Sequence, residues 1–314
     1  MRVLVIGGTG FVGAPVVRRL LADGHAVAAF HRGESSGGAE TIRGDRRDLT
    51  SSREAFRGFA PDVVLDTIAY TEEEGRTLAA VFRGMARRLV VLSSQDVYAA
   101  YGRLLRLEAG EPAGPFSEEA PLRSSRYPYR AIAKPGEMAY DYDKILVESA
   151  VRSGADVPLT ILRLPKIYGP GDPQRRLRFY LSRMSDAGSE IPIDRAKAAW
   201  RWTRGYVEDV ADAIALAATD ARAAGRIYNV GEEDALTEAE WVRVIGAASG
   251  WEGDVRAVSR EELPAELSEP YDFTHDLEAD TRRIRAELEY RERIGRTEGL
   301  RRAAAWERAA KTQV

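Results

Sequence analysis

Glycines at positions 7, 8, 10 and 13 follow directly on the apolar run Val3, Leu4, Val5 and Ile6. That order reads as a buried strand, a turn lacking Cβ atoms, and a helix beginning near Phe11. A diphosphate can approach such a turn closely, and the unpaired N–H groups and positive dipole end of the helix favour an anion there. Gly7, Gly10, Phe11, Val12 and Gly13 are therefore the candidate residues for holding a dinucleotide. The spacing Gly-x-x-Gly-x-x-Gly is one residue longer in its first gap than the commoner dehydrogenase fingerprint. Val16, Val17, Leu20 and Leu21 give the following helix an apolar face up to Gly24, the context that distinguishes a phosphate turn from an ordinary one.

A second group could move protons. Tyr140 and Lys144 stand four residues apart at the entrance to a predicted helix, a spacing that places both on one helical face. A phenol titrates near pH ~10, and a neighbouring ammonium favours its phenolate, so Tyr140 could exchange a proton close to neutral pH. Alone, the pair fits a solvated helix face equally well, and Tyr142 and Asp143 crowd the same turn. Ser93 and Ser94 end the apolar run LVVLSS and are expected to point toward the cleft, although serines at a strand end are also turn formers.

The elements that must position these groups alternate along the first half of the chain. Strands are predicted over 25–30, 41–44, 63–66, 89–93 and 159–164, with helices over 51–59, 71–85 and 143–153. Such interleaving implies right-handed crossovers and a parallel sheet covered on both faces, with ligands at the carboxyl ends of the strands. Beyond Leu164 the pattern loosens into loops rich in Arg, Pro and Trp, then a helix over 207–219, a strand over 227–230 and a helix over 237–249. Thr237 and Glu240 form a capping-box pattern at the start of that last helix. The C-terminal stretch reads as charged helix with Ile284, Leu288, Leu300 and Trp306 buried. The predicted architecture is α/β, a Rossmann-type doubly wound parallel sheet with a smaller C-terminal substrate-binding domain. Its dinucleotide-binding domain takes in residues 1–164 and about 205–231, and the substrate domain about 165–204 and 232–314.

With 314 residues, 44% hydrophobic content and a formal net charge of −3, the chain can bury a sizeable core and carries no general field for nucleic acid or anionic membrane. It has no cysteine, which excludes disulfides, thiolate metal sites and cysteine nucleophiles, and its three histidines argue against a zinc site. No signal-peptide pattern opens the sequence, and no stretch approaches the roughly 20 apolar residues needed to span a bilayer. A cytoplasmic enzyme without a metal is the expectation.

Taken in order, the glycine turn, the Ser-Ser strand end, Tyr140-x-x-x-Lys144, LRLPKIYGPGD (162–172), RGYVEDVADAI (204–214) and IYNVGEEDALTEAEW (227–241) resemble one family. Over about residues 1–250 the chain resembles an extended short-chain dehydrogenase/reductase, the group of NAD(P)-dependent sugar-nucleotide epimerases, dehydratases and reductases. The resemblance implies that Gly7, Gly10 and Gly13 carry the pyrophosphate, that Asp45 and Arg46 lie near the adenine, and that Tyr140 is the proton-transfer residue. It implies further that Lys144 holds the nicotinamide ribose and lowers the tyrosine pKa, and that Ser94, three residues before Val97, is the catalytic Ser/Thr. Hydride would move between a hydroxyl or carbonyl carbon and the nicotinamide. A homodimer through the helices at about 71–85 and 143–153 is likewise implied by the resemblance.

The departures from that family narrow the reading. The second strand runs into Phe30, His31 and Arg32 without the carboxylate that binds the ribose diol of NAD. Arg32 offers a bidentate partner for a 2′-phosphate, which favours NADP over NAD, with Ser35 or Ser36 as helpers. Gln95 and Asp96 stand where dehydratases of the family carry an Asp-Glu pair, which argues for epimerisation or carbonyl reduction rather than dehydration. In Asp66-Thr-Ile-Ala-Tyr70 a tyrosine is expected near the cofactor, where the family often shows a second alanine. Gln95, Asp96, Arg130, Trp202 and Arg204 are candidate substrate residues, and a nucleotide-linked sugar is a candidate substrate; packing of the smaller domain accounts equally well for the tryptophans. His25 and His275 read as solvated, and Glu287, Glu289, Glu292 and Glu298 break up the arginines of 282–308, which opposes a nucleic-acid face. The rival reading is a non-catalytic dinucleotide sensor or RNA-binding protein of the same fold.

Overall fold

The computed structural model of the protein describes residues 1–33, 37–112, 114–186 and 190–311. Ser35 and Ser36 therefore lie outside the described residues. The first half follows the alternation expected of it: β1 (Arg2–Ile6), α1 (Gly13–Ala22), β2 (Ala26–His31), β3 (Glu40–Arg43), α2 (Arg53–Phe59), β4 (Val63–Asp66), α3 (Glu72–Phe82), β5 (Arg88–Ser94), α4 (Ala99–Leu104), α5 (Lys144–Gly154) and β6 (Leu159–Leu164). The second half adds β7 (Lys166–Tyr168), α6 (Arg178–Asp186), β8 (Glu190–Asp194), α7 (Arg195–Ala199), β9 (Arg204–Tyr206), α8 (Val207–Thr219), β10 (Ile227–Asn229), α9 (Glu238–Ser249), β11 (Asp254–Val258), α10 (Arg282–Leu288) and α11 (Gly295–Lys311).

Seven strands form one sheet in the order β10-β6-β5-β4-β1-β2-β3, and every pairing in it is parallel. Because both faces are covered, β1 and β4 are near-continuous apolar runs, with Val3, Leu4, Val5, Ile6, Val63, Val64 and Leu65 fully buried. On one face Val5, Val17, Leu20 and Leu65 join α1 and α8; on the other Leu4, Phe30, Phe56, Leu78 and Val147 join α2, α3 and α5. Thr237 and Glu240 cap α9 reciprocally, as their spacing predicts.

Four short strands were not legible as such. β7 pairs β9 and β8 pairs β11, each in parallel and apart from the main sheet. They carry the chain from the end of β6 into the C-terminal half, where α9, α6 and α11 pack around Trp241, Ile245 and Leu300. α10 leans back on the main sheet, with Glu287 accepting a hydrogen bond from Tyr228 of β10 at 2.9 Å. Ile284, Leu288 and Leu300 are buried as expected, whereas Trp306 is only half-buried, its ring taken up by the Arg175 guanidinium 5.3 Å away. His275, expected in solvent, is buried, because its carbonyl accepts from the Trp200 indole at 2.8 Å and draws the loop inward. No helix among the described residues is long and apolar enough to cross a membrane.

Candidate active site

The carboxyl ends of β1, β2 and β4 lie side by side, with Ile6 opposite Phe30 on one flank and Asp66 on the other. Gly7 leaves β1 at φ +83°, a left-handed conformation that a side chain disfavours, and a Cβ there would overlap the Thr67 hydroxyl. The turn closes through Gly10 N to Gly7 O at 3.0 Å, and a Cβ on Gly13 would overlap that same carbonyl. Phe11 and Val12 are half-buried against the core; Val12 is the N-cap of α1 and supplies no side-chain acceptor. The Ala14 N–H is taken by the Gly10 carbonyl at 2.9 Å and Pro15 has none, so the Val12 and Gly13 N–H groups are the ones left for an anion.

Beside the turn, two buried side chains keep nitrogens without a partner among the described residues. His31 is 6% exposed at the end of β2, and neither ring nitrogen has a partner among the described residues. Burial, and then the Arg43 charge, hold its pKa below the usual imidazole range. Arg46 is also buried; one nitrogen binds the Asp66 carboxylate at 2.7 Å and the Glu74 carbonyl at 2.8 Å, while Nε and Nη1 are unpartnered. Asp45 caps the turn Arg46–Asp48 and pairs with exposed Arg47, which holds its carboxyl well below the usual range. Arg32 is exposed. A glycine cradle with a free helix end, flanked by orphaned ring and guanidinium nitrogens, fits a dinucleotide diphosphate with its ribose and base.

The tyrosine and lysine expected on one helical face are arranged differently. α5 starts at Lys144, because the Asp143 side chain accepts from Ile145 N at 2.9 Å and caps it there. Tyr140 consequently precedes the helix and shares no helical face with Lys144. Its ring lies 4.8 Å from the guanidinium of exposed Arg130, which also stacks on Tyr127 and pairs with Asp141 at 2.8 Å. The tyrosine that reaches Ser94 is Tyr142. Its hydroxyl donates to Asp96 at 2.7 Å, and the Ser94 hydroxyl accepts from the Asp96 backbone N–H at 3.2 Å. Asp96 also accepts from Tyr129 at 3.3 Å, and the Tyr129 and Tyr101 hydroxyls are 2.9 Å apart. Burial first, and then the Asp96 charge, push the Tyr142 phenol well above its usual value, and burial likewise raises Asp96. The cluster therefore favours its protonated forms.

Lys144 is buried beneath this cluster. Its ammonium donates to the carbonyls of Ala69 at 2.6 Å and Leu92 at 2.8 Å and sits 4.7 Å from the Tyr70 ring. Burial lowers its pKa to about 8. Ser93 does not point the way Ser94 does: successive strand residues alternate, and its hydroxyl donates to Glu148 of α5 at 2.5 Å. Glu148 also takes both arms of Arg163, at 3.0 and 2.8 Å, and Arg163 donates to the Tyr98 hydroxyl at 3.0 Å. This buried network clamps α5 to β5 and β6.

The substrate candidates separate in space. Gln95 is buried, with its amide donating to the Val230 carbonyl at 2.9 Å, so it ties β5 to the segment after β10 and faces no cleft. Arg130 is on the exposed loop. Trp202 lines a cavity of about 270 Å³ together with Tyr101 and Lys166. Arg204 lies one layer behind, 3% exposed, paired with Glu238 and stacked 4.4 Å from Trp241. Tyr101, Tyr129, Lys166 and His31 are not singled out by spacing; the first three come together beyond the ends of β5 and β6, and His31 stands apart at the end of β2.

The sequence model of the NAD dependent epimerase/dehydratase family matches residues 3–231. The chain is 26% identical to dTDP-glucose 4,6-dehydratase of Streptomyces niveus over 345 residues, covering 98% of this chain and 93% of that protein. It is 26% identical over 236 residues to the uncharacterised protein y4nL of Sinorhizobium fredii, covering 73% of this chain and 62% of that longer relative. A solved UDP-glucose 4-epimerase of Thermus thermophilus in complex with NAD superposes with a TM-score of 0.68 at 25% identity, covering 99% of this chain and 100% of that one. Since the family match runs from β1 past β10 and so takes in the whole seven-stranded sheet, the chain belongs to the NAD dependent epimerase/dehydratase family.

Proposed function

We propose that the protein carries out hydride transfer at a hydroxyl or carbonyl carbon of a small molecule, as a reductase or epimerase, with Tyr142 rather than Tyr140 exchanging the proton. The observation that carries this reading is that Asp96, at the end of β5, bonds both the Tyr142 hydroxyl and, through its N–H, the Ser94 hydroxyl. A nicotinamide dinucleotide held by Gly7, Gly10 and Gly13 supplies or accepts the hydride. Tyr142, kept protonated by burial, holds the proton that a carbonyl oxygen needs as it becomes a hydroxyl, and Ser94 orients that oxygen. Asp96, Tyr129 and Tyr101 continue the hydrogen-bond chain away from the reacting atoms. Two N–H groups of Lys144 are spent on carbonyls, which leaves its third to meet the nicotinamide ribose.

Dehydration is disfavoured because Gln95, at the position of the first acid, is bound to a backbone carbonyl and carries no proton to give. NADP is favoured over NAD because His31 and Arg32, not a carboxylate, stand at the end of β2. Nucleotide-linked sugars, the substrates in the names of the Streptomyces and Thermus relatives, are one candidate class among the carbonyl and hydroxyl compounds to be tested. A homodimer through α3 and α5, which lie side by side with Gly75 against Val147, belongs to the same reading and is tested by sedimentation.

The deciding experiment compares Tyr142→Phe with Tyr140→Phe, following the reduced cofactor's absorbance against a panel of carbonyl compounds. Tyr142→Phe should lose about 100-fold or more in kcat with NADPH affinity retained, and Tyr140→Phe should stay within about 10-fold of the parent. The reverse pattern assigns the proton to Tyr140.

A further inference from the structure

We propose that the cavity walled by Tyr101 and Trp202 is a subsite for a planar aromatic ring bearing one anionic group, with the anion on Lys166, a ligand class different from the nucleotide-linked sugars in the relatives' names. The proposal rests on the hydride-transfer reading only for its orientation: the ring and anion are the part of the substrate that does not react. The cavity, about 270 Å³, is walled by Tyr101, Phe179, Trp200, Trp202, Tyr271 and Phe273. Trp200 packs 5.1 Å from Trp202 and 5.3 Å from Phe273, so these rings present faces and edges fixed by one another. A flat ring is the ligand shape that such a wall accepts.

The charges in the wall settle what the ring must carry. Arg176 is paired with Asp172, Lys197 with Glu269, and Arg204 with Glu238, which also takes the Tyr180 hydroxyl. The Lys166 ammonium has no hydrogen bond or ion pair among the described residues and rests 4.1 Å from the Trp202 ring. Burial holds its pKa down at about 7, against the Glu238 charge that raises it and the Arg204, Arg176 and Lys197 charges that lower it. One cation is therefore free for a ligand anion. A nucleoside diphosphate would bring at least two negative charges to that single cation, with Glu238 and Glu269 in the same wall. A single carboxylate or comparable monoanion matches it.

The location connects this subsite to the proton-transfer cluster. Lys166 follows two residues after Leu164, which lies opposite Ser94 in the sheet. On the other side, Tyr101 lines the cavity and shares its hydroxyl with Tyr129, itself bonded to Asp96. Tyr101 is thus shared between the cavity wall and the hydrogen-bond chain that runs through Tyr129 to Asp96 and Tyr142.

Calorimetric titration of the full chain with 2-naphthoate, its neutral analogue 2-naphthylmethanol, and UDP-glucose tests the proposal. The naphthoate should bind about 10-fold or more tightly than the alcohol, the worth of one charge-assisted contact. Lys166→Met should abolish that preference, and Lys166→Arg should keep most of it. Trp202→Leu should weaken both ring compounds alike, which keeps the test intact should Lys166→Met fail to fold. Equal binding of acid and alcohol, no binding of either, or UDP-glucose binding more tightly than naphthoate in a Lys166-dependent way would overturn the assignment. NADPH titrated in parallel separates the two readings: its failure to bind removes the hydride-transfer proposal but leaves the ring subsite standing or falling on its own result.

Discussion

The cofactor end of the sheet and the substrate end are built from different materials. At the ends of β1, β2 and β4 the ligand would meet backbone: a glycine turn, the open start of α1, and few side chains. At the ends of β5 and β6 it would meet side chains from α4, the loop before α5, β7 and the segment before β9, as with Tyr101, Tyr129, Tyr142, Lys166 and Trp202. A backbone site depends on local spacing and tolerates no Cβ at its tightest points. A side-chain site depends on distant segments meeting, so single residues can be exchanged there without unmaking the fold.

The sharpest way to break that contrast is Gly13→Ala. Its Cβ would overlap the Gly7 carbonyl, which has nowhere to go without opening the turn. Binding of NADPH and NADH should fall by about 100-fold or more, equivalent to ~2.7 kcal/mol, as read by calorimetry. An unchanged affinity would mean that the turn is not where the diphosphate sits.

Next in size is the clamp beneath the substrate end. Arg163→Met strands the buried Glu148 carboxylate and should cost about 3–5 kcal/mol in denaturant unfolding. By contrast Arg47→Ala, which breaks an exposed pair with Asp45, should change stability by less than about 1 kcal/mol. If the two variants matched, the buried network would not hold α5 in place.

Lys144 supplies a pH test of its burial. Its pKa is about 8 in the fold, and an unfolded lysine titrates near 10.5. Between those values the unfolded chain holds the extra proton, so the contribution of this group to stability rises with pH across that window, by up to about 3 kcal/mol. The stability of the parent minus that of Lys144→Met should therefore climb from pH ~8 to ~10. A flat difference would place the ammonium in water. The smallest expected effect is at the adenine side: Arg32→Ala should weaken NADPH about 10-fold while leaving NADH nearly unchanged, and an equal loss for both would remove the NADP preference.

The same contrast explains what could be read beforehand. The glycine turn, the apolar strands and the capping box at Thr237 are local patterns, and each appears where its residues predict. Tyr140 and Lys144 were placed on one helix by spacing alone, yet Asp143, a good N-cap residue, was already one position before Lys144 and starts the helix there. That single cap leaves Tyr140 outside the helix and Tyr142 bonded to Asp96. Arg46, expected near the adenine, is held by Asp66, twenty residues on, a pairing with no signature in either segment. β7, β8, β9 and β11 run three to five residues each, too short for a periodic pattern to stand out.

The most direct test of the account is titration of the purified protein with NADPH and NADH, after absorbance and mass spectrometry have established whether a nucleotide co-purifies. The account predicts that a nicotinamide dinucleotide binds, NADPH more tightly than NADH, and that Gly13→Ala loses both. If neither nucleotide binds and none is carried through purification, hydride transfer is not what this site does.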